Sequence, residues 1–122
     1  MAITIEGSDI GATSYEVQTL AVGNQQGIIE GGSYKHRMQV VGWQRKYVIT
    51  CHELGSVAWG SSILATLEGY CKAGTQVTLA ISDGDMYTVS SAECIITAVR
   101  PRFIDTGASK RKIFTVELVE QQ

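Results

Sequence analysis

Three separate segments place apolar side chains at every second position: Tyr47-Val48-Ile49-Thr50-Cys51, Val77-Thr78-Leu79-Ala80-Ile81 and Phe114-Thr115-Val116-Glu117-Leu118. Successive side chains of a strand point to opposite faces, so each segment can bury Tyr47, Ile49 and Cys51, or their equivalents, on one side only. A helix would scatter these residues around its circumference. One stretch breaks the rule: between Ser56 and Ala73, Trp59, Ile63, Leu67, Tyr70 and Cys71 recur at helical spacing and form one apolar stripe. At 122 residues the chain is long enough for one domain and one core. The predicted fold is therefore mainly β (α+β): a single domain over 1–122, an antiparallel β-sandwich or barrel with one packed α-helix at about 56–73.

The remaining elements follow from the same reading. Ala2–Glu6 alternates and stops at Gly7; Tyr15–Val22 is a second strand with Tyr15, Val17 and Thr19 on one face. Gly23–Ser33 holds Gly23, Gly27, Gly31 and Gly32, which rule out a stable helix and imply a long loop or an extended hairpin tip. Ile28 and Ile29 within it are poorly placed in water and call for a neighbour. Tyr34–Trp43 and Arg45–His52 are rich in strand formers, with a bend or turn from Gly42 to Arg45. Ser56 or Ser61 can cap the helix, and Gly74 can stop it with Lys72 near its negative end. Ser82-Asp83-Gly84-Asp85 is a hairpin turn, Met86–Val99 a long strand region, and Asp105–Ser109 a second reversal. The predicted order is four strands, one helix and three strands, antiparallel because turns join most of them.

Little of this composition points to chemistry. A net charge of −2 with no basic stripe argues against sequence-specific nucleic-acid binding, and Lys110-Arg111-Lys112 reads as a guard on a strand edge. No run of about 18 apolar residues is available to cross a membrane. Cys51, Cys71 and Cys94 cannot all pair, no secretion signal precedes them, and they read as thiols in a reducing cytoplasm. Cys51-His52-Glu53 holds a nucleophile, a base and a carboxylate, yet neighbours on a strand face opposite ways and cannot share a proton. His36, His52 and the cysteines lack metal-ligand spacing, and Asp83 with Asp85 lacks the further carboxylates of a calcium site. Trp43 and Trp59 could stack on a ligand, but core packing is the commoner use of Trp59. No residue is assigned a catalytic, cofactor-binding or metal-ligating role, and no cofactor is expected.

From Tyr34 to Val119, about 70% of the chain, the order of features resembles the phage tail protein U family and the amino-terminal domain of distal tail proteins. The points of likeness are a basic-polar strand running into Gly42, then Tyr47-Val48-Ile49-Thr50, a helix with Leu64, Leu67 and Glu68, Gly74, Val77-Thr78-Leu79, Gly84, and Ile95-Ile96. Most specific is the close: Gly107, then Arg111-Lys112-Ile113-Phe114-Thr115-Val116-Glu117-Leu118. The first 33 residues have no counterpart, and His52-Glu53-Leu54 stands where Tyr-Pro is expected. The resemblance implies a tail-tube-like fold and a structural, non-enzymatic, hexameric ring of a phage tail or baseplate hub. Such a ring bridges the tail tube protein and the hub protein, with the tape measure protein as a further partner. It implies a place in the virion tail after assembly in the host bacterial cytoplasm, with no membrane. A tail terminator or head–tail joining ring is the alternative of the same kind. A small-molecule or glycan-binding β-barrel using Trp43 and Trp59 is the alternative of another. Subunit contact is expected in the Gly23–Ser33 and Arg102–Arg111 loops, through Ile28, Ile29, Phe103, Ile104 and Arg111.

Overall fold

The computed structural model describes residues 1–30 and 32–121; at 24–30 and 33–41 it is the backbone path that is described. The strands are β1 (Ala2–Ile5), β2 (Ser8–Asp9), β3 (Ala12–Glu30), β4 (Ser33–Leu54), β5 (Gln76–Ser82), β6 (Thr88–Asp105) and β7 (Lys110–Glu120). A 3-10 turn (Trp59–Ser61) and one helix, α1 (Ile63–Ala73), lie between β4 and β5. All seven strands pair antiparallel in one sheet of order β2-β1-β5-β6-β7-β4-β3. The mainly β class with one helix holds, and a single sheet replaces the two of a sandwich.

The two border strands, β2 and β3, are consecutive in the chain and separated by Ile10 and Gly11 alone. So short a link forces the sheet to curl until its borders approach. The Ile10 N–H donates to the Ile3 carbonyl at 3.3 Å, while the Gly11 carbonyl accepts from the His52 N–H at 3.0 Å, so the link bonds to both sides. Gly11 has φ +69°, and a Cβ there would stand 2.8 Å from the His52 carbonyl oxygen. Only glycine fits both conditions. Further along, the Tyr15 hydroxyl of β3 donates to Asp83 in the β5–β6 turn at 2.6 Å.

Inside the curl lie the side chains that the alternation selects: Tyr47, Ile49 and Cys51 of β4, Val77, Leu79 and Ile81 of β5, and Phe114, Val116 and Leu118 of β7, none more than 1% exposed. Ile3 and Ile5 of β1 and Cys94 and Ile96 of β6 complete the wall, and Leu64 and Leu67 of α1 join the same core. In β6 the alternation shifts at a bulge between Ile96 and Ala98, which turns Val99 rather than Ala98 toward the core.

Three local expectations are corrected. Helix α1 starts at Ile63, not Ser56, and neither Ser56 nor Ser61 caps it. Ser62 occupies the cap position without a side-chain cap bond, and Glu53 of β4 does the work instead: its Oε2 accepts the Ile63 N–H at 3.0 Å and its Oε1 accepts the Ser62 hydroxyl. The segment before it is tied to β7, where Gly55 N–H meets the Lys110 carbonyl and Lys112 Nζ donates to the Val57 carbonyl, both at 2.9 Å. Trp59 consequently leaves the apolar stripe and is 49% exposed rather than part of the core. At the other end Gly74 adopts φ +65° and stops the helix as expected. Gly42–Arg45 is no turn: β4 runs straight through it, and a bulge opposite Val22 and Gly23 absorbs one residue. The two strands expected there are one, and the fourth strand before the helix is the short β2.

Candidate assembly surface

Strand β4 has β7 beside it only from Lys46 to Leu54. The β3–β4 ladder continues outward, from Leu20 opposite Gln44 to Glu30 opposite Ser33, with no third strand among the described residues. At about 3.3 Å per residue this is a two-stranded arm some 35 Å long. Of the two expectations for Gly23–Ser33, the extended hairpin is the one observed. Two-stranded ribbons are marginal in water by themselves. Near the base of the arm Leu20, Val22 and Trp43 are each more than two-fifths exposed, with the Arg45 guanidinium 4.9 Å over the Trp43 ring. Arg45 also reaches Glu120 of β7 at 3.9 Å, which fastens the arm to the body. Ile28 and Ile29 fall in β3 opposite Lys35 and Tyr34, but their side chains lie outside the described residues.

The second expected contact region sits at the other end of β4. There the β6–β7 ladder runs to Asp105 opposite Lys110, so only Thr106–Ser109 is turn and the expected Arg102–Arg111 loop is mostly strand. Phe103 is 61% exposed, Ile104 half-buried, and Arg111 exposed with its Nε donating to Ser109 Oγ at 3.3 Å. Past Ile95 the outer side of β6 pairs with no strand among the described residues, and Pro101 on that border lacks a donor to offer. The two regions are thus not brought together; the body separates them. The long border of β3 is an unfilled template for pairing, whereas β6 beyond Ile95 has α1 packed against it in place of a strand.

Between them the body holds the residues that looked reactive, and none converge. Cys51 is fully buried and its thiol is pushed up to about 12, first by desolvation. Cys94 is raised to about 12 for the same reason. His52 lies on the outward face, away from Cys51, and Glu53 is occupied by α1 and by Lys112, 3.5 Å from its Oε1. Among the described residues no three His, Cys, Asp or Glu side chains gather as a metal site. A pocket of about 300 Å³ opens between Asp9, Ile10, Gly11, His52, Glu53 and Ile63, and one of about 250 Å³ between Glu68, Cys71, Lys72 and Val99. Neither includes a tryptophan. Trp43 and Trp59 stand beside Arg45 and Lys112, near opposite ends of the β4–β7 ladder, and cannot sandwich one ligand.

Sequence reasoning missed Leu20, Val22 and Leu54 as exposed apolar side chains. Their signal was available only as a mismatch: β-formers continue in Tyr15–Val22 and Tyr34–Trp43 with too few other strands to flank them.

No family model matches the chain, and no curated protein matches it. Solved structures do. A chain from the virion of a native gene transfer agent particle aligns over 99% of this chain and 92% of its own, with TM-score 0.59 and 12% identity. One from the tail of an empty gene transfer agent particle, in C6 symmetry, aligns over 94% and 81% with TM-score 0.59 and 10% identity. One from the six-fold symmetrised baseplate of the anti-feeding prophage aligns over 99% and 87% with TM-score 0.54 and 10% identity. The chain has the fold of these components of assembled tails and baseplates.

Proposed function

We propose that this protein is a structural ring subunit of a phage-type tail or baseplate hub, six copies of which bridge the tail tube and the central hub. The observation that carries the reading is the β3–β4 arm: a long ribbon with an open border and exposed Leu20, Val22 and Trp43 at its base. Among the described residues nothing covers it, and two strands alone bury too little to hold that length in water. Neighbouring copies in a ring supply the missing side. The likeness to chains from six-fold tails and baseplates supports the same reading, as does the tail protein resemblance of the Tyr34–Val119 sequence. Head-to-tail contacts that close make rings, and a ring covers both borders of each subunit at once. The expected role is mechanical, with Ile28, Ile29, Phe103, Ile104 and Arg111 as subunit contacts. The two tryptophans stand apart and outside the two pockets described above, which disfavours a ligand-binding barrel that uses both.

Deleting Gln25–Gly31 tests this. The shortened protein is expected to keep its far-ultraviolet circular dichroism and unfolding midpoint but to stay monomeric in native mass spectrometry, where the full chain gives a six-fold species. Unchanged ring formation by the deletion variant would refute the role of the arm.

A further inference from the structure

Lysine and arginine are missing from Met1 to Tyr34 and again from Ala73 to Val99. These stretches include β1, β2, β5 and the first half of β6, which are neighbours in the sheet. Glu6, Asp9, Asp85 and Glu93, all exposed, mark this region as an acidic wall. Across the sheet the sign reverses. Phe114, Val116 and Leu118 point inward, so Arg111, and with it the cross-strand neighbours of the outward row, Arg100 and Arg102 on β6 and Lys46 on β4, face out. The carboxylate in that row is Glu117, and it is already held by Lys46 at 2.9 Å and Arg100 at 2.7 Å. Arg102 and Arg111 are exposed beyond it. A molecule with net charge −2 therefore carries a basic wall on β4, β7 and the second half of β6, and an acidic one on β1, β2, β5 and the first half of β6.

We propose that the partner of the basic wall is a second copy of this chain, docked through its acidic wall, head to tail. This deepens the ring reading and rests on it. A two-fold contact made by either wall alone would set like charge on like charge. A rotation that carries the acidic wall of one subunit onto the basic wall of the next leaves every wall matched. The part of β6 that pairs with no strand past Ile95 lies within the basic wall, so the same contact brings a neighbour close to it. Opposite walls also steer encounter and penalise wrong registers.

The test is a charge swap on the full chain, read by native mass spectrometry and sedimentation velocity. Arg102→Glu with Arg111→Glu makes both walls acidic; Glu6→Lys, Asp85→Lys and Glu93→Lys together make both basic. Each variant alone is expected to lose self-association by at least about ten-fold while circular dichroism shows it folded, and rising salt is expected to weaken the wild type. Mixing the two variants is expected to restore assembly, because each reversed wall then meets its complement in an alternating ring. The proposal is overturned if either variant assembles like the wild type, or if mixing the folded variants fails to restore assembly. It is equally overturned if Arg102→Glu with Arg111→Glu abolishes binding to a polyanion such as DNA and leaves self-association intact. A wild-type chain that remains monomeric at high concentration, alone and with tail-tube subunits, would instead sink the ring reading itself.

Discussion

The inner and outer halves of the β3–β4 hairpin are built from the same kinds of residue and meet different fates. In the inner half, β4 has β7 on its other side, and Tyr47, Ile49 and Cys51 are completely buried. In the outer half the ladder continues past one bulge, yet Leu20, Val22 and Trp43 remain in contact with water. Strand propensity does not separate the two; what lies alongside does. The inner half is secured by folding of one chain; in the proposed ring the outer half is secured by association between chains.

The largest break of that contrast comes from the body. Phe114→Ala opens a cavity among fully buried side chains and is expected to cost about 3–5 kcal/mol in chemical denaturation. Next is Glu53→Ala, which removes the cap on Ile63 and strands Lys112, whose side chain is only 10% exposed. Breaking such a pair is expected to cost about 3 kcal/mol, with loss of α1 helicity visible by circular dichroism. Gly11→Ala forces a left-handed conformation on a residue already touching the His52 carbonyl. About 2 kcal/mol in thermal unfolding is expected, with frayed exchange protection in β1 and β2.

Glu117 sharpens the contrast through pH. Lys46 and Arg100 hold its carboxyl below the usual carboxylate range, the Lys46 hydrogen bond foremost. Because the folded-state pKa is the lower one, its contribution is complete above about pH 4.5, the ordinary value, and is lost as pH falls through the depressed one. Glu117→Gln is expected to flatten the acid limb of the unfolding midpoint against pH. The smallest effect on stability belongs to the arm: Leu20→Ser with Val22→Ser is expected to change it by about 0.5 kcal/mol or less while ring assembly falls. A large destabilisation there would erase the distinction between the halves.

Much of the body was legible in the sequence because it obeys a local rule. Every second residue is apolar from Tyr47 to Cys51 in β4, Val77 to Ile81 in β5 and Phe114 to Leu118 in β7, and the inward faces are those the period selects. The start of α1 was not legible, since Trp59 and Ile63 mimic helical spacing while the decisive contacts, Glu53 to Ile63 and Lys112 to Val57, join residues far apart in the chain. The same holds for Gly42, where a bulge does what a turn seemed required for. For the assembly surface the sequence supplied the exposed Phe103 and the glycine-dense arm but not their separation. Which end of a sheet a loop occupies depends on strand order, and no local period records that.

The two-residue link at Ile10 and Gly11 has a temporal consequence. Ile3 of β1 finds its partner at Ile81 of β5, so the entropy of closing that long loop is expected to delay the seating of β1 until β5 is in place. The border of β1 and β2 then acts as a latch, expected to shut late in folding and joined to β3 by the two residues of the link.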